Sequence, residues 1–449
     1  MTHAGYGRLT DPPASLLLAG VRIVDPSDGT DSIGDLAVRD GRIVAAAEVP
    51  PSVQRIDGHG LVVTPGLCDL HVHLRDPGDS AVETIASGAR AAARGGFTTV
   101  CAMPNTEPPI DTAEAVADVV DRSRDAACRV RVIGAVTAGR AGETLADVEA
   151  MEAAGAIGFS DDGASVPDSV VHEAVDRLRV LGLPLIEHAE DPKLAANGVM
   201  REGHTAARLG LQSWPPAAEL AIVERDLARA EADGCQIHLT HLSSAGSVEA
   251  MRRARSRGVA VTCDVTPHHL ALTERWVAGD RRFAWDDEGA VVAGAAAYDG
   301  SCRVNPPLPT RNDALALLAA VADGTIDAIA TDHAPHPAHR KLVPFDQAAP
   351  GLIGLETALS LGLAAVEAGR LPLMALLGAM STRPAAIIGE RRGLGVGSLA
   401  DLVVFDPSAR WRVEAATLAS ASSNTPLLGM ELPGVVRLTM SEGRVTYRT

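Results

Sequence analysis

The sequence predicts an α/β chain: a closed (β/α)8 barrel, the TIM-barrel architecture, with a small β-sandwich domain built from both termini. Three observations predict it. Between residues 65 and 390, apolar runs of about five residues alternate with Ala/Leu/Glu/Arg-rich amphipathic stretches that end near Gly, and eight such units can be counted. Both ends of the chain instead carry short strand-like runs parted by Gly, Pro and Asp. The length, 449 residues, accommodates a barrel of about 250 residues or more and a second domain.

Residues 1–64 supply the first part of the small β domain through "LLLAGVRIVDP", "DLAVRDGRIVAAA" and "RIDGHGLVVTPG". Residues 391–449 complete it with "DLVVFDP" and "VRLTMSEGRVTYR", and the "DGRIV" and "EGRVT" steps read as hairpins. In the barrel, the strand candidates with their carboxyl ends are "GLCDLHVH", "FTTVCAMPN", "VRVIGAV", "AIGFSDD", "PLIEH", "QIHLTH", "VAVTCDVTPHH" and "DAIATDH". Helical stretches such as "ETIASGARAAARGG", "SVVHEAVDRLRVLG", "AAELAIVERDLARAEADG" and "SVEAMRRARSRG" fill the gaps. Repeated strand–helix alternation favours a closed parallel barrel over an open sheet. Residues 272–303 interrupt this rhythm and read as a surface excursion or lid.

Composition narrows the function classes. Hydrophobic residues at 46% and charged residues at 22% describe a packed chain, and aromatics at 3% leave Ala, Val, Leu and Ile to fill the interior. Lys plus Arg number 40 against 57 for Asp plus Glu, a net charge of −17, and no basic run tracks a phosphate backbone, which argues against nucleic acid. An anionic substrate therefore needs a local cationic site. No stretch approaches the ~18 apolar residues of a membrane span, and the opening residues lack the basic region of a signal peptide. Cysteines 68, 101, 128, 235, 263 and 302 form no C-x-x-C pair, which fits a reducing cytoplasm.

The chemistry begins at "DLHVHLRDPG", residues 69–78. In an extended strand His71 and His73 share one face, and two imidazoles side by side can hold a metal ion. A barrel gathers the carboxyl ends of its strands at one mouth. That brings together His71 and His73 on strand 1, Asp161 and Asp162 on strand 4, His188 on strand 5, His241 on strand 6 and Asp332 on strand 8. These are too many for one catalytic zinc, which takes about three protein ligands and water. Two metals sharing a carboxylate, one of the Asp161–Asp162 pair, fit better. Asp332 then binds one metal and serves as general base and general acid. The reaction class is metal-assisted hydrolysis or formation of an amide-type bond. His268 and His269, as strand neighbours, would face opposite ways, and neither is taken as a ligand. His238 reads as an interior residue, and His59, His172, His204, His333 and His339 as structural or surface residues.

"DLHVHLRDPG", "AMPNT", "FSDDG", "EHAED", "THLSSAGSVE", "DVTPHHL", "VNPPL" and "TDHAPH" occur in this order over nearly the whole chain, which resembles the dihydroorotases of the amidohydrolase superfamily. The resemblance implies reversible cyclisation of N-carbamoyl-L-aspartate to L-dihydroorotate plus water in pyrimidine biosynthesis, with two Zn2+ per chain. It implies His71, His73, Asp162, His188, His241 and Asp332 as metal ligands. His73, Arg75 and Asn105 would contact substrate, the last two at its carboxylate, with Asn305, His336 and the backbone at Gly351 as further contacts. A planar guanidinium at Arg75 suits a carboxylate. Hydantoinases, allantoinases and many dihydroorotases carry a carboxylated lysine on strand 4. Here "GFSDDG" has no lysine and resembles the aspartate branch, with Asp162 preferred as the bridge and Asp161 its rival. The alternatives are another cyclic-amide hydrolase, hydantoinase or allantoinase, and a non-catalytic partner of aspartate carbamoyltransferase. Filled ligand positions favour catalysis. A cytoplasmic homodimer is expected, with association with aspartate carbamoyltransferase left open.

Overall fold

The computed structural model of the chain describes residues 5–287, 289 and 294–449. Barrel strands 1 to 8 are Leu67–Val72, Phe97–Ala102, Arg129–Gly134, Ala156–Phe159, Leu185–His188, Ile237–Thr240, Val261–Val265 and Ala328–Ile329. They lie side by side in chain order and every neighbouring pair is parallel. A bridge from Val72 to His333 joins the end of strand 1 to the chain just past strand 8. Alternation divides each strand between two layers. Leu70, Cys101, Ile133 and Ile186 form an interior cluster, whereas Val100, Val132, Leu185 and Leu239 pack outward on the helices.

The helices start and stop where their sequences direct. Ile85–Gly95 opens at Thr84, whose hydroxyl accepts from the Ser87 amide, and closes at Gly96 with φ of 90°. Such a cap contributes about 1 kcal/mol. Asp168–Leu181, Ala217–Asp233 and Ala245–Ser256 occupy the other stretches predicted as helical, and the first two end at a left-handed Gly182 and Gly234.

The terminal strands form one curled nine-stranded sheet with its own core, in which Leu16, Val38, Val63, Leu402 and Met440 take part. Its two halves meet at Val62–Pro65, which pairs parallel with Leu16–Asp25 and antiparallel with Leu402–Arg412. Both predicted hairpins are present. Their turns, Asp40-Gly41 and Glu442-Gly443, hold φ between 50° and 78°, the geometry that suits the twist of two-residue hairpins.

Two expectations are corrected. Barrel strand 7 ends at Val265, so His268 and His269 lie on a short helix, Pro267–Ala271, and strand alternation does not apply to them. Proline at the first helical position and the Thr266 hydroxyl capping the His269 amide explain the switch. The 272–303 stretch is also more than a surface excursion. Trp276, Val277, Trp285 and Cys302 are buried, Trp276, Phe283 and Trp285 stack in series, and Arg281 covers the Trp276 ring. Residues 288 and 290–293 of that stretch lie outside the described residues.

Candidate metal centre and substrate pocket

At the carboxyl ends of the strands, six side chains predicted as ligands converge, each at most 7% exposed. The register of strand 1 shifts between Asp69 and Val72. This bulge turns His71 into the barrel after Leu70, where strict alternation would have sent it outward. His73 follows just past the strand, and the two Nε2 atoms lie 3.2 Å apart. The Asp332 Oδ1 is 3.0 Å from His73 Nε2 and 3.7 Å from His71 Nε2. Across the site, His188 Nδ1 and His241 Nε2 stand 2.9 Å apart.

Asp162 lies between these two imidazole pairs. Its Oδ1 is 3.4 Å from His71, 3.5 Å from His188 and 3.7 Å from His241, and its Oδ2 is 3.6 Å from His73. Burial raises its carboxyl, but the surrounding imidazoles outweigh burial and hold it well below the ordinary range. Two trios therefore share this residue: His71, His73 and Asp162, and Asp162, His188 and His241. Asp161 turns away. Its Oδ1 accepts from the Val136 and Thr137 amides and its Oδ2 from the Thr137 hydroxyl at 2.5 Å.

The donor set suits divalent metal, because ring lone pairs face inward. The Thr240 hydroxyl donates to Asp264, so His71 donates from Nδ1 to Thr240 and presents Nε2 to the carboxylates of the site. His73 likewise donates from Nδ1 to Asn105 Oδ1 at 2.7 Å. Carboxylates behind the ligands fix this arrangement. Asp264 accepts from the His241 amide and from His238, while Asp69 accepts from the His71 amide and from Thr331.

Backbone strain gathers at the same place. Arg75, His241 and Asp332 all have positive φ, at 56°, 42° and 47°. Each such conformation costs a non-glycine residue roughly 1–3 kcal/mol and persists where surrounding contacts enforce it.

A cavity of about 270 Å³ opens over the ligands, of a size for a small metabolite. His73, Arg75, Asn105, Asn305, His336 and Gly351, the predicted substrate contacts, all line it. Arg75 donates from Nε to the Pro335 carbonyl, and the exposed Arg340 adds a second cation at the rim. Together they oppose the −17 background locally. Asn105 also donates from Nδ2 to Asp162, so it orients the ligands it lies beside. The Gly351 backbone at the cavity wall is itself held by hydrogen bonds. Its amide donates to Arg303 O, and its carbonyl accepts from Lys341 and Asn424.

Sequence reasoning missed several contributors. Glu190 accepts from Asn305 and Trp214; burial raises its carboxyl, but these bonds and His188 pull it down to about 2. Its acidic neighbourhood in "EHAED" was the only signal. Thr240, Asp264, Arg340, Lys341 and Asn424 stand outside any ligand spacing. His268 is buried, its Nε2 has no hydrogen-bond partner among the described residues, and burial pushes it down to about 4.

Among the described residues, no helix is long and apolar enough to cross a membrane. Residues 60–247 match the family model described as Dihydro-orotase-like. A dihydroorotase of Geobacter sp. (strain M21) is 42% identical over 97% of this chain and 99% of its own length. A dihydroorotase of Anaeromyxobacter dehalogenans (strain 2CP-1) is 44% identical over 96% of this chain and 98% of its own. The solved L-hydantoinase (dihydropyrimidinase) from Arthrobacter aurescens matches with a TM-score of 0.81 at 27% identity, covering 96% of each chain. With buried imidazoles and carboxylates at the mouth of a parallel barrel and whole-length likeness of this degree, the chain belongs to the dihydroorotase family.

Proposed function

We propose that the chain is a dihydroorotase, interconverting N-carbamoyl-L-aspartate and L-dihydroorotate in pyrimidine biosynthesis. The observation that carries this reading is Asp162 set between two imidazole pairs, below a cavity lined by Arg75. An aspartate there and a guanidinium for an anionic substrate favour dihydroorotate over the uncharged rings of hydantoin and allantoin.

His71, His73, Asp162 and Asp332 would hold one divalent metal, and Asp162, His188 and His241 a second, both zinc. Metal bound there supplies Lewis acidity that makes water acidic near neutral pH and polarises the amide carbonyl. Arg75 and Asn105 bind the substrate carboxylate, with His336, Asn305 and the Gly351 segment closing around the ring. In hydrolysis, Asp332 takes a proton from the attacking water and returns it to the ring nitrogen as the C–N bond breaks. Cyclisation runs the same transfers in reverse. A homodimer in the cytoplasm belongs to this reading.

Turnover of dihydroorotate, hydantoin and allantoin by the purified chain, with metal counted per chain, tests it. Dihydroorotate should be strongly preferred with two metals bound. Preference for hydantoin or allantoin would overturn the assignment.

A further inference from the structure

The loops that carry the cavity wall have little regular structure, so something else must fix them. Lys341 closes the short helix Ala338–Lys341 and is 4% exposed. Its Nζ donates to Ala349 O at 2.6 Å, Gly351 O at 2.8 Å and Arg303 O at 3.1 Å. Burial draws the amine down to about 7; in its protonated form the three N–H donors match these three carbonyls and none is left for a ligand. Arg303 lies two residues before Asn305, and Ala349 and Gly351 flank Pro350; the lysine thus ties together both sides of the cavity.

Asn424 reaches the same place from the C-terminal segment. It is 7% exposed. Its Nδ2 donates to Ala334 O at 3.0 Å and Gly351 O at 3.2 Å, and its Oδ1 accepts from the His336 amide at 3.0 Å. Its own carbonyl accepts from the Ile353 amide. The Gly351 carbonyl therefore receives two donors, one from Lys341 and one from Asn424. The loops are packed tightly here: a Cβ on Gly351, whose φ is +126°, would lie 2.6 Å from the Ala334 Cβ and 3.1 Å from His336 Nε2. His336 in turn donates from Nε2 to Pro350 O at 2.7 Å.

We propose that Lys341 and Asn424 are positioning residues, a two-sided clamp on the Gly351 carbonyl that holds His336 and the 349–351 backbone in their substrate-binding arrangement. The clamp rests on the reading of His336, Asn305 and Gly351 as substrate contacts. Neither residue is among the predicted metal ligands or proton carriers, and both act through preorganisation: loops held in the bound geometry do not have to be ordered by the substrate. Their loss weakens substrate binding and spares the chemical step.

The test uses the full metal-loaded chain and dihydroorotate. Lys341→Met and Asn424→Asp should each raise KM about tenfold, with kcat within about threefold and metal content equal to the parent. Lys341→Arg should leave KM raised, since a planar fork does not reproduce three diverging donors. The double variant should raise KM by less than the product of the single effects, because both residues act on one carbonyl. Asn305→Ala and His336→Ala are measured alongside. If these two raise KM while Lys341→Met and Asn424→Asp do not, the clamp is overturned and the substrate site stands. If Asn305→Ala and His336→Ala leave KM unchanged, the substrate-site reading falls and the clamp with it. A fall in metal content or kcat that tracks KM in Asn424→Asp would show general damage and also overturn the clamp.

Discussion

Asp161 and Asp162 are consecutive, yet their carboxylates meet different partners: Asp161 accepts from the backbone and hydroxyl of residues 136–137, and Asp162 faces four imidazoles. Asp162→Asn should lower metal content and cut activity at least ~10²-fold, since an amide is a poor bridge between cations. Asp161→Asn should keep its metal and lose stability by about 1–3 kcal/mol, because an amide nitrogen meets donors where a carboxylate accepted. Metal analysis and thermal unfolding of the two variants separate these roles. Metal loss in Asp161→Asn alone would reverse the assignment.

Removal of metal should abolish turnover, and added zinc should restore it. Asp332→Ala at full metal content should still lose about 10²–10⁴-fold in kcat, the range for a positioned acid–base group. A metal-replete Asp332→Ala that turns over at the parental rate would remove that residue from proton transfer.

Arg75 lines the cavity and is the cation that the proposed function assigns to the substrate carboxylate. Arg75→Met should raise KM for dihydroorotate about tenfold or more, with metal content unchanged, and should affect uncharged hydantoin much less. Equal losses on both substrates would point to a structural role.

His336 tests the electrostatics of the pocket. Burial, joined by the charge of Arg75, pushes its imidazole down to about 3, below the unfolded value of about 6.5. Between those values the unfolded chain binds the extra proton, so this group lowers stability as pH falls. His336→Gln should therefore show a smaller drop in Tm between about pH 7 and pH 4.5 than the parent. An unchanged drop would mean that the ring titrates normally.

All six cysteines are buried and free. Burial pushes Cys68, Cys128 and Cys302 up to about 12 and Cys235 up to about 11, so thiolate is scarce at neutral pH. Ellman's reagent should find no fast-reacting thiol in the native chain and six after unfolding. One rapid native thiol would identify a local opening.

Much of this arrangement is legible in the sequence because chemistry and periodicity coincide. Apolar runs ending in His or Asp mark strand ends, and both hairpins announce themselves through Asp-Gly and Glu-Gly. Other features depend on contacts between distant segments. The bulge between Asp69 and Val72 re-aims His71 without altering its spacing from His73. In "TPHH", the threonine cap and first-turn proline outweighed the β-branched run before them. Arg340, Lys341 and Asn424 acquire meaning only when loops from three parts of the chain meet.

The seam at Val62–Pro65 has a consequence for biogenesis. Its neighbour on one side, Leu16–Asp25, precedes it in the chain, whereas its neighbour on the other, Leu402–Arg412, lies beyond the entire barrel. At about 5–20 residues per second, tens of seconds of translation separate the two. Throughout that interval the nascent N-terminal strands present an unmated edge to the cell. Only the segment made after the whole barrel covers it, and the same segment delivers Asn424 to the Gly351 carbonyl.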